Sequence, residues 1–407
     1  MKAAGVVVEY NPFHNGHYYH LQQTKAATGA DIIVAAMSGN FLQRGEPAIV
    51  SKWARADAAL KGGADIVIEL PYAFATQNAD TFASGSVSIL DSMKVDALCF
   101  GSEDGKIDRF LHTYEMLSVK EDEFNRSLKE SVKEGSSYPR AASDAFESVA
   151  GADKDMLIDL TKPNNILGFQ YVKSILEHKS AIKPYTVKRT GAAYHDPDLA
   201  PGNIASATSI RNNIFQVGGM EEAVNFMPKS TADTIEAYQQ NYGLLHNWEH
   251  YFPLLKYRLL TMSPREAAGV YEAEEGIENR LKGFITESGS FHEFMEKIKT
   301  KRYTWTRLQR LCTHILTNTG KQEMKEAKDS GTVPYLRLLG MTEKGQAYLR
   351  KKKQEFSVPL VSTVSRFNHP LIDMDVRAAY AYAAVLDEPF RTRFLKEEFS
   401  TPPLQID

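Results

Sequence analysis

The chain of 407 residues carries 48 lysines and arginines against 51 aspartates and glutamates, a net charge of −3, which excludes nucleic-acid binding driven by total charge. At 43% hydrophobic and 24% charged residues it reads as a soluble globular protein, and its length exceeds one usual domain, so two are expected. Its two cysteines, Cys99 and Cys312, lie far apart in apolar contexts, as buried thiols and not a disulfide or metal knuckle. The N-terminus lacks the long apolar core of a signal peptide, and no apolar run of about 18 residues follows. A cytoplasmic protein with no membrane association is expected.

The apolar run Ala3 to Val8 stops at Glu9-Tyr10-Asn11-Pro12-Phe13-His14-Asn15-Gly16-His17, which reads as a strand end, a tight turn and a helix start. Pro12 fixes its own φ and pushes Asn11 towards extended backbone, and Gly16 lets a bound group come close. His14 and His17 thus stand at a helix N-terminus beyond a strand's carboxyl end, where unpaired N–H groups favour phosphate. Two imidazoles there could donate to a phosphorus centre gaining negative charge and to departing pyrophosphate, the chemistry of nucleotidyl transfer. Taken alone, the short motif also describes capping histidines.

After a helix over 17–28, the apolar run 31–37 predicts a second, buried parallel strand. The loop Ser38-Gly39-Asn40-Phe41-Leu42-Gln43-Arg44-Gly45-Glu46-Pro47 follows. Arg44 and Lys52 supply charge for an anion there, and Asn40 and Gln43 supply neutral donors. A helix over 51–62, a strand over 64–71, a helix over 78–92 and a strand over 95–100 continue a β-α-β alternation, and charged outer helices fill 106–134. Gly101, ending the fourth strand, could admit a planar base or simply turn the chain. Thr161-Lys162-Pro163-Asn164-Asn165-Ile166-Leu167-Gly168 opens a helix. A fifth strand, 182–188, ends at Arg189, with Tyr194-His195-Asp196 behind; a guanidinium at that strand end suits phosphate or carboxylate. Ser206-Ala207-Thr208-Ser209-Ile210-Arg211 forms another hydroxyl-bearing helix start, with Arg211 one turn inside.

Gly218-Gly219 marks the expected boundary. Beyond it the pattern is helical, at 229–241, 247–261, 265–271, 275–287, 289–300, 303–318 and 321–328. The stretch 297–310 gathers Lys299, Lys301, Arg302 and Arg307 around Tyr303 and Trp305, either an RNA face or a solvated helix with core aromatics; Lys351 to Lys353 is a second basic cluster. The expected fold is α/β: a doubly wound, Rossmann-like parallel-sheet nucleotidyltransferase domain over 1–217, then an all-helical domain over 218–407.

HNGH after a proline resembles the HxGH signature of the nucleotidyltransferase superfamily. The longer string EYNPFHNGH, the GNFLQRGEPA loop with SKWARADAAL, PNNILG and the SxTxxR stretch resemble, in that order, the bacterial tRNA(Met) cytidine acetate ligases. Two positions depart from the commoner pattern: Val8 and Asn11 stand where a glycine and an aspartate are usual, which points to this branch. Ala207 replaces the second serine of the SSTxxR signature. The resemblance implies ATP as substrate, with acetate activated as acetyl-adenylate and passed to the exocyclic amine of the wobble cytidine of elongator tRNA(Met). His14, His17, Thr208 and Arg211 then take catalytic places. Val7, Val8, Glu9, Tyr10, Asn11, Pro12, Phe13, Asn15, Gly16, His20, Gly101, Asn164, Arg189 and Ser206 take places at ATP. Asn40, Gln43, Arg44, Lys52, Lys299, Lys301, Arg302, Trp305 and Arg307 are candidate acetate or tRNA contacts. The triphosphate's charge brings Mg2+ into the expectation, though no dedicated metal cage is visible. On the residues alone, a small-molecule nucleotidyltransferase and a non-catalytic RNA- or nucleotide-binding protein stay open.

Overall fold

The computed structural model of the protein describes residues 1–136, 138–151, 156–189, 204–215, 219–329 and 331–407. The expected Tyr194-His195-Asp196 segment and Gly218 lie outside them. The apolar runs pair into one sheet. Strand β1 (Ala3–Val8) lies parallel between β2 (Ile32–Ser38) and β4 (Ala97–Ser102), with β3 (Ile66–Leu70) beside β2 and β5 (Lys183–Lys188) beside β4. The strand order β5-β4-β1-β2-β3 reverses direction between β1 and β4, the switch point beyond whose carboxyl ends ligands of such sheets gather.

Successive strand residues feed opposite faces. Ile32, Val34 and Ala36 enter one core with Ile66 and Ile68, while Ile33, Ala35 and Met37 enter another with Val67 and Phe13. Helix α1 (Asn15–Thr28) follows β1, and α2 (Lys52–Lys61) precedes β3. Both cysteines are buried and free.

The region after 217 is mainly helical, but it sends three strands back to the sheet. Strand β6 (Leu336–Thr342) pairs antiparallel with β3, and β7 (Leu360–Val361) and β8 (Leu404–Ile406) pair with β6. The expectation of an all-helical second domain is corrected there. The larger sheet core is also continuous with buried residues of the later helices, among them Trp248, Tyr251, Phe294 and Leu311. The two halves therefore share one hydrophobic interior. No helix among the described residues is long and apolar enough to cross a membrane.

Candidate active site

The turn after β1 is built by local bonds. His14 is the N-cap of α1: its Nδ1 accepts the Gly16 N–H at 3.0 Å, and His17 Nδ1 accepts the His14 N–H at 3.3 Å, a capping box made of two imidazoles. The rings stack with centroids 3.7 Å apart. Tyr10, in left-handed backbone at φ 50°, sets its ring edge-on to both Phe13 and His17, at 4.7 and 4.9 Å. That backbone strain, on the order of 1 kcal/mol, is held by burial of Tyr10 and Phe13. A Cβ on Gly16 would fall 2.8 Å from His14 Cε1, so only glycine leaves room for the ring.

Because each Nδ1 accepts a backbone N–H, the neutral rings carry their proton on Nε2 and are donors there. Burial, then the nearby Arg189 and Arg211 cations, lowers the pKa of His14 to about 3. His17 is held well below the usual histidine range, first by burial, then by His14, Arg189 and His20; the Pro12 carbonyl pulls weakly the other way. Burial likewise takes His20 down to about 4. In the ligand-free protein at pH 7, 15N spectra should therefore show His14 and His17 as neutral Nε2–H tautomers. An imidazolium signal at that pH would contradict this electrostatic reading.

Both rings line a cavity of about 570 Å³ at the carboxyl ends of β1, β4 and β5. Val7, Val8 and Glu9 come from β1 and the residue after it, and His14, Gly16, His17 and His20 from the turn and α1. Gly101 follows from β4, Arg189 from the end of β5, and Ser206 from the segment before the helix Ala207–Phe215. Gly101 and Arg189 belong together: a Cβ on the glycine would meet Arg189 Cγ at 3.2 Å. Asn164 opens the helix Pro163–Glu177 and also lines the cavity. That helix start is already filled by a protein carboxylate: Glu103 accepts the Asn164 side chain at 2.7 Å and the Asn165 N–H at 2.8 Å.

Five residues expected at the nucleotide lie behind this wall. Tyr10, Asn11, Phe13 and Asn15 are buried, and Pro12, joined to Asn11 by a cis bond, lies with them. Asn11 Oδ1 accepts the Ile49 N–H at 2.7 Å, and Asn15 donates to the Asn225 carbonyl at 3.3 Å, so they fix the turn. Thr208 is exposed outside the cavity lining. Arg211 is also outside it, donating to the Asn11 carbonyl and to Glu46, each at 2.8 Å.

The 38–47 loop is held from below by a residue that the sequence reading missed. Arg55, on the buried face of α2, donates to the carbonyls of Glu9 at 2.7 Å and Ser38 at 3.0 Å, and also to those of Gly39 and Val50. It thereby ties the chain just after β1 and β2 together. Its only sequence signal was an arginine among alanines on an otherwise apolar helix face. Tyr19, Phe100, Leu167, Gly168, Tyr171 and Lys188 were missed too. Phe100, Leu167 and Tyr171 form an apolar wall, and a Cβ on Gly168 would fall 2.4 Å from the Phe100 ring.

Lys52, expected at an anion, is a correction. It is 1% exposed and its Nζ sits between Glu69 at 2.9 Å and Glu398 at 2.7 Å, so no ligand reaches it. Asn40 is also buried, accepting the Lys52 N–H. Gln43 is half-buried: its N–H donates to Glu9 at 2.7 Å and its side chain to the Gln77 carbonyl at 2.6 Å. Arg44 is exposed, while its carbonyl accepts Gln309 at 2.9 Å. Gly45, at φ 77°, lies so close to the helix Trp305–Leu316 that a Cβ would stand 2.6 Å from the Arg310 backbone. Its carbonyl accepts Trp248 Nε1 at 3.0 Å and Thr313 Oγ1 at 2.7 Å.

Residues 1–397 match the model of the HIGH Nucleotidyl Transferase family. Over the whole chain, the sequence is 53% identical to a tRNA(Met) cytidine acetate ligase of Bacillus subtilis (strain 168), covering 98% of that protein. It is 49% identical to one of Geobacillus sp. (strain WCH70), over 99% of this chain and all of the relative. The chain belongs to the tRNA(Met) cytidine acetate ligase family. Its fold overlays, at TM-score 0.90 and 32% identity, the crystal structure of Thermotoga maritima TmcAL bound with alpha-thio ATP, covering all of this chain and 99% of that one.

In this ligase-family chain the basic stretch lies against acidic partners. Arg302 pairs with Glu275 at 2.6 Å and Arg307 with Glu274 at 3.1 Å. Trp305 is half-buried, with Lys299 over its ring at 6.0 Å and its indole N–H donating to Gln309 at 3.2 Å. Lys299 and Lys301 are exposed, and no ion pair is seen for either among the described residues. Also among the described residues, no group of three or more His, Cys, Asp and Glu side chains converges to hold a metal ion.

Proposed function

We propose that the protein activates acetate with ATP as acetyl-adenylate and acetylates the exocyclic amine of the wobble cytidine of elongator tRNA(Met), giving N4-acetylcytidine, in the cytoplasm. The observation that carries this reading is the pair of neutral, Nε2-protonated imidazoles lining the switch-point cavity of a chain that matches named acetate ligases end to end. In this mechanism the acetate carboxylate attacks the α-phosphorus in line, and His14 and His17 donate to the oxygens that gain charge and to the leaving pyrophosphate. The apolar wall of Phe100, Leu167 and Tyr171 suits the base, with Gly101 and Gly168 allowing close approach. Arg189 serves phosphate or carboxylate. Arg211 and Thr208 take the outer phosphates, for which Arg211 must exchange Glu46 for the ligand.

A magnesium ion arriving with ATP would neutralise phosphate charge, and with no group of three or more His, Cys, Asp and Glu side chains among the described residues to hold it, phosphate oxygens and water would be its ligands. The deciding experiment is pyrophosphate exchange into ATP, expected to depend on acetate. Exchange without acetate would point to a different acceptor, and no exchange at all to a nucleotide-binding protein without this chemistry.

The tRNA grip is assigned to the cations of 299–307. With Arg302 and Arg307 already paired, Lys299 and Lys301 have the most charge to give to phosphates. Replacing both lysines by alanine should weaken tRNA binding and reduce the slope of log affinity against log salt by about 1–2. Titrations at several salt concentrations check this, and an unchanged slope would move the grip to Lys351 to Lys353 or to the cavity rim.

A further inference from the structure

Glu9 is the one acidic side chain among the described residues lining the cavity. A carboxylate there works against the binding of a triphosphate and an acetate ion, since like charges repel strongly in a poorly hydrated site. Its position is nevertheless carefully held. One oxygen accepts the Gln43 N–H at 2.7 Å, and Arg55 grips its carbonyl at 2.7 Å. No described cation forms an ion pair with it, and Arg211, whose charge acts on it, is turned to Glu46.

We infer that Glu9 is the general base of the acyl-transfer half of the reaction, taking the proton that the cytosine amine loses as it attacks acetyl-adenylate. This rests on the proposed function. The amine nitrogen forms a bond to the acetyl carbonyl carbon, and the bond from that carbon to the phosphate oxygen breaks. AMP leaves as an anion that needs no proton, so the surplus proton is the amine's and passes to the Glu9 carboxylate, then to solvent. An exocyclic cytosine amine is a weak nucleophile, so an acceptor in the transition state matters, typically by about 10²–10⁴-fold.

The histidines, Lys188 and Arg189 of the cavity are poorly suited to accept it. His14 and His17 have given their Nδ1 lone pairs to backbone N–H groups and carry protons on Nε2. His20 Nε2 is sealed from solvent without a partner. Lys188 and Arg189 are cations. Burial raises the basicity of Glu9, together with nearby Glu46, against the lowering effects of the Gln43 N–H, Arg44 and Arg211. Once pyrophosphate has left, the cavity holds less negative charge and the carboxylate is better tolerated.

The test separates the two half-reactions in the full-length protein. Chemically prepared acetyl-adenylate and tRNA(Met) are mixed with enzyme in a single turnover, beside acetate-dependent pyrophosphate exchange by the same preparation. Glu9→Gln, which keeps an acceptor for Gln43, should slow transfer about a hundredfold or more while exchange falls at least tenfold less. Glu9→Asp should recover part of the transfer rate. Equal losses in both halves would overturn the assignment in favour of a role in adenylate formation, and undiminished transfer would overturn it outright. Wild-type enzyme that cannot acetylate tRNA from acetyl-adenylate would instead defeat the proposed function.

Discussion

His17→Ala should lower acetate-dependent pyrophosphate exchange by about a hundredfold or more, the usual scale for losing one preorganised transition-state donor. The ring lies stacked on His14, edge-on to Tyr10 and held through Nδ1 by the His14 N–H, so its Nε2–H is aimed before any ligand arrives. The variant also loses half of the α1 capping box, worth about 1 kcal/mol, which a chain with this much buried core withstands. Circular dichroism should therefore match wild type. Near-normal exchange by a folded variant would remove His17 from the chemistry, and an unfolded variant would mark it as a structural cap.

Glu398→Ala should be among the most destabilising single changes in the protein. Its carboxylate is 2% exposed at the level of the residue and accepts both Lys52 and Arg337 at 2.7 Å, and Glu69 completes the cluster. Burial pushes the Glu398 carboxyl up, but Arg337 and Lys52 together hold it below the usual glutamate range. Removing it leaves two buried cations to share Glu69. Breaking one partner out of a buried ionic set costs about 3–5 kcal/mol. The urea midpoint of Glu398→Ala should fall accordingly, with Glu398→Gln intermediate; a midpoint within error of wild type would mean that water reaches the cluster.

The same cluster explains where reading the sequence stopped. The alternation of apolar runs and helix patterns located β1 to β5 and the helices around them, because each is specified by its own neighbours in sequence. The HNGH turn was legible for that reason too: strand end, proline, paired histidines and glycine all lie within one short segment. Lys52 was not. It stands at the start of α2 beside a loop of special residues, where a cation awaiting an anion is the natural reading, and its partner Glu398 is 346 positions away. Strand β6 was hidden likewise, since antiparallel pairing of Leu338 with Ile68 leaves no local trace. Arg55 was not singled out, because its acceptors are backbone carbonyls, and those have no sequence. The pairing of Arg302 and Arg307 with Glu275 and Glu274 was equally out of reach, and it reduces the charge that the basic stretch presents.

Gly45 sets a limit on how such a chain can be rearranged. Its backbone is pressed against the helix Trp305–Leu316 with no room for a side chain, its carbonyl is shared by Trp248 and Thr313, and within the same loop Glu46 bears on Arg211 and Gln43 on Glu9. The mainly helical region should therefore not behave as an exchangeable cassette, nor the first 217 residues as a free-standing unit. Recombination across this seam would discard the surface that shapes the loop. Relatives of this protein should accordingly be inherited whole, as the matches running from one end of the chain to the other already are.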